Sequence, residues 1–147
     1  MAEKRSADVK WTGDLATGSG AVSTKTSTAL KEASVSWPSR SGVAAGKTSP
    51  EELIAAAHAS CYAMAFSGRL AKNNTPGTSL DVSCTVTFAN VDGGWKIASS
   101  EITVVGKVAG IDAARFQEIA ADAKANCPVS AALNGNVDIT LTATLAQ

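Results

Sequence analysis

The feature that most constrains the fold of this chain is a long, almost wholly apolar helix near its middle. Ser49 is placed to cap a helix that begins at Pro50, and Glu52, three residues after Ser49, completes a capping-box pattern. We predict that the helix continues to about Ala71, where the sequence KNNTPG supplies residues that end helices. Because this helix is apolar on nearly every side, it has to be covered on every side, at the centre of a fold or of an oligomer.

The size and charge of the chain exclude several classes of protein. A length of 147 residues fits one domain spanning residues 1–147. The 13 Lys and Arg residues balance the 13 Asp and Glu residues, so no basic surface is expected for nucleic acid or an anionic membrane. The N-terminus lacks the apolar core of a signal peptide, and the most apolar run, residues 53–66, is too short to span a bilayer. We therefore expect a cytoplasmic protein with no nucleic-acid or membrane partner.

Strands are predicted on both sides of the long helix, which indicates an α+β fold. Before Trp37, short runs rich in Thr, Val and Ser between Gly-containing turns suggest two or three antiparallel strands. Residues 38–48 are predicted to form a loop. Polar and apolar residues alternate over residues 79–88, and a second strand over residues 96–109 would make a long hairpin with the turn NVDGGW.

The C-terminal part of the chain predicts two further helices and a last strand. Asp112 can cap a helix over residues 113–126. Four apolar residues share one face of that helix at helical spacing: Phe116, Ile119, Ala120 and Ala123. Pro128 suits the first turn of a short further helix, and residues 137–145 alternate as a strand.

Three cysteines, an odd number in an expected reducing compartment, do not predict a disulfide scaffold. Cys61 lies in the middle of the apolar helix and is either a small core residue or a reactive thiol. Cys127 precedes Pro128 at a helix start, where free amide groups favour a thiolate, or it is merely an N-cap. Cys84 alternates with the apolar residues of a strand and is interpreted as a core residue.

His58 lies one turn before Cys61 and could act as a base, or, with the cysteine, as a metal ligand. Two ligands at this spacing are too few for a zinc site, so a packed or interface histidine is favoured. The sequence carries no phosphate-binding glycine loop, serine-hydrolase elbow or flavin or nicotinamide fingerprint. We therefore expect no metal, haem, flavin or other cofactor.

Two motifs resemble a known family. The segments SPEELIAAAHASCYAMA and NCPVSAALNG are similar to the two signature regions of the OsmC/Ohr family, the osmotically inducible protein C and organic hydroperoxide resistance proteins. The order of predicted elements is also similar to that family's over essentially the whole chain. The resemblance implies an OsmC-like fold, in which antiparallel sheets surround a long buried central helix, and an intertwined homodimer.

The resemblance also implies an activity, a thiol-dependent peroxidase, and assigns residues to it. Cys61 corresponds to the peroxidatic cysteine, which becomes a sulfenic acid, and Cys127 to the resolving cysteine, which closes a disulfide with Cys61. Arg40 in WPSR matches the thiolate-binding arginine of the OsmC-like branch, and Glu51 matches the glutamate that pairs with it. The substrate implied is an organic hydroperoxide, and the reductant implied is a dithiol, for which a lipoyl-type dithiol is a candidate.

Elementary chemistry agrees with these assignments. A buried thiol is a poor nucleophile without a neighbouring cation, which the Arg40 guanidinium would supply while Glu51 holds it in place. On one straight helix Glu51 and Cys61 are about 15 Å apart. The ion pair is therefore expected to approach the thiol from a second subunit.

Apolar residues near the first cysteine, Tyr62, Met64 and Phe66, favour an organic hydroperoxide over hydrogen peroxide. The alternative hypothesis is a non-catalytic, small-molecule-binding or stress-associated dimer of the same fold. A protein of that kind would be expected to have lost some of the four site residues, and this chain contains all of them.

Overall fold

The computed structural model describes residues 1–146, in which the chain forms six strands and four helices. Along the chain these elements are β1 (Ala7–Thr12), β2 (Ser19–Thr24), β3 (Ala33–Val35), α1 (Trp37–Ser41), α2 (Pro50–Lys72), β4 (Gly77–Val91), β5 (Gly94–Val108), α3 (Ala113–Asn126), α4 (Pro128–Leu133) and β6 (Asp138–Leu145). They belong to two compact units, an N-terminal unit of residues 1–53 and a C-terminal unit that begins at Ile54. None of the helices in the described residues is long and apolar enough to cross a membrane.

The N-terminal unit is a three-stranded antiparallel sheet in the order β1-β2-β3, followed by α1 and the start of α2. Gly20 leaves room for its neighbours, because a Cβ there would lie 2.9 Å from Val35 and 3.0 Å from the Trp11 ring. Within residues 1–53, all of which the structure describes, Val22 is the one buried hydrophobic side chain. Much of the apolar surface of this unit therefore stays exposed in the single chain.

The C-terminal unit contains the hydrophobic core. Its sheet has the order β4-β5-β6, with β4 and β5 antiparallel and β5 and β6 parallel. Asp92 and Gly93 join β4 to β5 with φ values of 54° and 82°, the positive angles that a tight hairpin turn requires. The core consists of side chains from α2, α3 and β5 together with Cys127: Tyr62, Phe66, Leu70, Ile102, Val104, Phe116, Ile119, Ala120, Ala123 and Cys127. Gly106 lies under the Phe116 ring, where a Cβ would come within 2.7 Å.

Most of the predicted elements are confirmed. The strands before Trp37 number three, the hairpin spans 77–108, and the four residues predicted to share one face of α3 are all buried. Ser49 accepts a hydrogen bond from the Glu52 amide at 3.1 Å, as predicted, whereas the Glu52 carboxylate accepts one from the Thr48 hydroxyl. The α+β class predicted from the sequence is therefore confirmed, but the expectation of purely antiparallel sheets is wrong for β6, which pairs in parallel with β5.

The prediction of a loop over residues 38–48 is wrong at its beginning. Residues 37–41 form α1, for which Ser36 is the N-cap and Ser39 completes a reciprocal capping box. Pro38 lies in the first turn, where its missing N–H costs no helical hydrogen bond. The short helix is stabilised by these local contacts although its composition is typical of a loop.

Helix α2 is buried on one face in the single chain. His58, Tyr62, Phe66 and Leu70, spaced four residues apart, are completely buried. The opposite face consists of small or flexible side chains that remain exposed: Ala56, Ala57, Ser60, Met64 and Ser67. The sequence predicts that α2 is covered on every side, but within the single chain only one of its faces is covered.

Candidate active site

The two cysteines of the predicted redox pair interact with each other. Cys61 is half-buried on α2, and Cys127 is completely buried at the N-cap position of α4. Both are free cysteines, and each influences the pKa of the other. The C-terminal unit therefore brings the two thiols close enough to affect each other's ionisation.

The surroundings of the two sulfurs shift their pKa values in opposite directions. Burial raises the pKa of Cys61, against the opposing effect of the Val129 amide, and the neighbouring Cys127 raises this pKa further. Burial also acts to raise the pKa of Cys127, but the Ser130 amide and hydroxyl, the Cys61 thiol and the Val129 amide together lower it below its ordinary value. Cys127 is accordingly the more acidic of the two thiols.

Arg40 and Glu51 form an ion pair in the N-terminal unit. Arg40 lies in the last turn of α1, and its Nε and Nη2 donate to Glu51 Oε1 at 2.9 and 2.7 Å. The Glu51 side chain is 8% exposed and that of Arg40 30% exposed. The guanidinium also lies 6.0 Å from the centroid of the Trp37 ring. Glu51 fixes the guanidinium from its buried side, as the sequence predicted for the pair.

An apolar groove of about 400 Å³ adjoins this ion pair within the same unit. Arg40 lines the groove together with apolar residues of the first strands, α1 and the start of α2: Val9, Trp11, Leu15, Val22, Val35, Trp37, Pro50 and Leu53. A guanidinium at an apolar wall suits a molecule that has a polar end and a hydrocarbon tail.

His58 is packed, as predicted, but it is also fully hydrogen-bonded. Its Nδ1 lies 2.7 Å from Ser100 Oγ, and its Nε2 lies 2.8 Å from Ser130 Oγ. Burial lowers the pKa of His58, so the imidazole is neutral at neutral pH. Cys84, predicted to be a core residue, packs against the core, and its sulfur lies 3.2 Å from the same Ser100 hydroxyl.

The sequence analysis does not identify Ser100 and Ser130 as buried partners of His58, although the sequence contains a signal for each. Ser100 continues the alternation of Ile102 and Val104 on the buried face of β5, so it is a polar residue at an apolar position. Ser130 is three residues after Cys127, the N-cap residue of α4. At this spacing a side chain can contact the N-cap residue of a helix.

The expectation that Tyr62 and Phe66 contribute to a substrate surface is wrong. Both side chains are completely buried in the core, where their rings lie 5.8 Å apart. The Tyr62 hydroxyl donates to the Ala120 carbonyl at 3.1 Å. Met64, the third residue of that prediction, is 69% exposed on the opposite face of α2.

Within residues 1–146, no group of three or more His, Cys, Asp and Glu side chains is arranged to hold a metal ion.

Comparison with known proteins gives a consistent set of relatives. The family model for OsmC-like proteins matches residues 43–142. The chain is 39% identical to peroxiredoxin OsmC from Escherichia coli over 129 residues, which cover 88% of this chain and 89% of that protein. It is 34% identical to an organic hydroperoxide resistance protein from Xanthomonas axonopodis pv. citri over 114 residues, or 76% of this chain and 78% of that protein. The crystal structure of the organic hydroperoxide resistance protein OhrB of Bacillus subtilis matches with a TM-score of 0.70 at 29% identity, covering 96% of this chain and 98% of that one.

The buried, neutral state of His58 predicts a specific loss of stability in acid. Because its pKa is lowered in the folded chain, the unfolded chain binds a proton below about pH 6.5 that the folded chain does not. The contribution of His58 is fully present above that pH, and the free energy of unfolding should fall below it by up to about 1.4 kcal/mol per pH unit. His58 is the one histidine of the chain, so His58→Gln should remove this dependence between about pH 5 and 7 in urea unfolding. An equal slope for both proteins would contradict the assignment.

Proposed function

Because this chain belongs to the OsmC family, we propose that it is a cysteine-based peroxidase that reduces organic hydroperoxides, and hydrogen peroxide more weakly. The observation that carries the proposal is the proximity of the Cys61 and Cys127 thiols, each of which shifts the pKa of the other. A peroxidatic thiol needs a second thiol within reach to resolve its sulfenic acid as a disulfide. The names of the relatives, peroxiredoxin and organic hydroperoxide resistance protein, support the same reaction class.

In the proposed cycle Cys61 attacks the distal oxygen of the hydroperoxide. Its proton passes to the Cys127 sulfur, the O–O bond breaks, and Cys61 becomes a sulfenic acid. The alkoxide that leaves takes the proton from Cys127 and departs as an alcohol. The Cys127 thiolate then attacks the sulfenic sulfur, closing the disulfide and releasing hydroxide. One thiol, one thiolate and one hydroperoxide thus give a disulfide, an alcohol and a hydroxide.

Arg40 provides the cation that the first step requires. Burial and the neighbouring Cys127 both disfavour a thiolate at Cys61, so the attack needs external stabilisation of negative charge. The guanidinium can donate to the peroxide oxygens and stabilise the developing alkoxide. Glu51 serves as the positioning residue, because its buried carboxylate accepts two hydrogen bonds from Arg40.

The hydrocarbon tail of the substrate is assigned to the groove beside Arg40. The groove walls are almost entirely apolar, and the Arg40 guanidinium lines one side, where the peroxide end would bind. Hydrogen peroxide has no tail to fill such a groove, so it gains less binding energy there. An organic hydroperoxide is therefore the preferred substrate.

A dithiol, of which a lipoyl-type dithiol is the candidate, restores the reduced enzyme. Its first thiolate attacks the Cys61 sulfur, because Cys61 is half-buried whereas Cys127 is completely buried. Cys127 then departs as a thiolate, and a leaving sulfur with a lowered pKa departs faster. The second thiol of the reductant releases Cys61 by closing its own disulfide.

The active form is proposed to be a homodimer. Each of the two units leaves large apolar side chains exposed: Val9, Trp11, Leu15 and Val43 in the N-terminal unit and Met64 in the C-terminal unit. Exposed apolar surface of this extent is typical of an interface between subunits. A homodimer would also allow the Arg40–Glu51 pair of one subunit to serve the Cys61 of the other.

The non-catalytic alternative is less well supported. A small-molecule-binding dimer would use the apolar groove but would not need interacting thiols at Cys61 and Cys127. It would also have no use for a buried carboxylate that orients the Arg40 guanidinium. The variants described next distinguish binding from turnover.

The cysteine roles predict different outcomes for two serine variants. Cys61→Ser should abolish consumption of an organic hydroperoxide. Cys127→Ser should complete one oxidation and stop at a sulfenic acid on Cys61 that a dimedone-type reagent traps. Rapid-quench counting of free thiols and mass spectrometry of the trapped adduct measure both outcomes. Oxidation of Cys61→Ser at the parent rate would show that the roles are reversed or that the protein is not this peroxidase.

Replacement of Arg40 by lysine tests the guanidinium separately from its charge. A lysine cannot donate through a fixed fork to both Glu51 and a peroxide, so Arg40→Lys should slow the first oxidation of Cys61 by about a hundredfold. Arg115→Lys is the matched control, because Arg115 pairs with Glu118 on the exposed surface of α3. Single-turnover rates for both variants provide the comparison. Equal rates in the two variants would remove Arg40 from the mechanism.

The proposed dimer predicts a response to charge on the exposed face of α2. Sedimentation velocity at micromolar concentration should detect a dimer that buries more than about 2,000 Å². Met64→Glu would place a carboxylate in that interface and should shift the protein to monomer. Lys72→Glu, at the exposed end of the same helix, is the control and should remain dimeric. A folded parent protein that sediments as a monomer would refute the assembly.

A further inference from the structure

The indole of Trp11 is held in a fixed position although it lies on an edge strand of the N-terminal sheet. Its Nε1–H donates to the Gly13 carbonyl at 2.9 Å. On β2 the residue opposite Trp11 is Gly20, and a Cβ there would lie 3.0 Å from Cε3 of the indole. The ring therefore rests over a glycine, and its polar atom is already paired with the turn that follows β1.

The fixed indole forms part of the wall of the apolar groove beside Arg40. Trp11 is 42% exposed and lines the groove, as does Trp37 from the start of α1. The chain has three tryptophans, so two of the three line this one cavity. Aromatic side chains from two separate elements thus contribute to a groove whose other lining residues are mainly aliphatic.

The size of the groove limits the kind of tail that it can accept. Its volume is about 400 Å³, near the lower end of the roughly 300–1,000 Å³ that is usual for small-molecule sites. Arg40 lines the same groove, and its guanidinium lies 6.0 Å from the centroid of the Trp37 ring. A compact tail such as a single ring suits this volume, whereas a long acyl chain would leave part of its length in water.

We propose that Trp11 is the specificity-determining residue of the groove and that its indole favours hydroperoxides whose tail carries an aromatic ring. The inference rests on the proposed function, in which the groove binds the tail of the substrate and Arg40 binds its peroxide end. A flat aromatic ring gains an offset-stacked or edge-to-face contact with an indole that a saturated ring of the same size does not. Because contacts with Gly13 and Gly20 already fix the indole, this contact costs little further side-chain entropy.

Two other roles of Trp11 make different predictions. An aromatic ring placed over a glycine compensates for the missing side chain in a sheet, and this packing role would require only that the sheet folds. A large apolar side chain that is 42% exposed also suits a subunit interface. Neither role makes the protein distinguish an aromatic ring from a saturated ring of similar size, so that distinction is what the experiments measure.

The first experiment measures binding without any peroxide chemistry. Benzyl alcohol and cyclohexylmethanol, the products of two matched hydroperoxides, are titrated into the reduced protein and followed by heteronuclear NMR. The parent protein should bind benzyl alcohol more tightly, and Trp11→Leu should lower the ratio of the two affinities by about three- to tenfold. Trp11→Phe keeps an aromatic ring and should retain most of the preference.

Trp95→Leu is the matched control for both experiments. Trp95 is 49% exposed and stacks on Phe88 in the C-terminal unit, with ring centroids 4.8 Å apart, so it is a partly exposed tryptophan that does not line the groove. This variant should keep the parent ratio of affinities. Sedimentation velocity and circular dichroism establish that each variant is folded and has the oligomeric state of the parent.

The second experiment measures the same preference in the oxidation of Cys61. Benzyl hydroperoxide and cyclohexylmethyl hydroperoxide are compared in single-turnover reactions, and the ratio of their rate constants in each variant is divided by the ratio in the parent. This division removes the difference in intrinsic reactivity between the two hydroperoxides. Trp11→Leu should lower the ratio by about three- to tenfold, whereas Trp95→Leu should leave it at the parent value.

Equal slowing of both hydroperoxides in folded Trp11→Leu would make Trp11 a packing or interface residue and would overturn the inference. Where Trp11→Leu does not fold, the parent protein provides the test. Benzyl alcohol should shift the resonance of the Trp11 indole N–H, assigned by its loss in Trp11→Phe, and an unchanged resonance would overturn the inference. A parent protein that oxidises neither hydroperoxide would refute the peroxidase, whereas the alcohol titrations would still report on Trp11.

Discussion

The proposed chemistry depends on the proximity of two thiols, Cys61 and Cys127, each of which shifts the pKa of the other. Burial alone would raise the pKa of both thiols and leave neither reactive. At Cys127 the Ser130 amide and hydroxyl, the Cys61 thiol and the Val129 amide overcome that penalty, whereas at Cys61 the Val129 amide does not. The result is an asymmetric pair in which Cys127 is the more acidic thiol.

Two elements of the C-terminal unit carry this pair: Cys61 lies on α2, and Cys127 lies at the start of α4. Helix α2 buries His58, Tyr62, Phe66 and Leu70 on one face, so its backbone is immobilised where Cys61 projects. The start of α4 places Cys127 in the core, and the Ser130 hydroxyl lies 2.8 Å from Nε2 of His58 on α2. Cys127 is therefore held by the same core that stabilises the unit.

Local signals explain which parts of the molecule could be predicted from the sequence. The ends of α2, the hairpin turn and the buried face of α3 depend on neighbouring residues and were predicted closely. The parallel pairing of β6 with β5 depends on contacts about 40 residues apart (138 against 99), which no local pattern encodes. The roles of the four candidate site residues came from a family resemblance. Their individual spacings alone could not have brought Cys61 and Cys127 together.

Helix α1 and the two serines show why the remaining features were missed. The capping box of Ser36 and Ser39 lies in a segment whose Pro, Ser and Gly content is typical of a loop. Ser100 differs from its apolar neighbours on β5 by a single hydroxyl, and its importance appears only once β5 lies beside His58. Burial also reversed the interpretation of Tyr62 and Phe66, because an apolar helix does not reveal which of its sides faces the core.

The asymmetry of the thiol pair has a consequence for the Arg40–Glu51 pair. Groups of the C-terminal unit stabilise the charge of Cys127, which is needed in the second step, but oppose charge on Cys61, which is needed in the first. In the proposed mechanism the cation for Cys61 therefore comes from outside this unit and acts when a peroxide is bound. A guanidinium held by a carboxylate that is 8% exposed is preorganised for that purpose, whereas a freely rotating side chain would lose conformational entropy at each turnover. In the proposed mechanism the lowered pKa of Cys127 therefore favours the resolving step, whereas the first step depends on the Arg40 guanidinium.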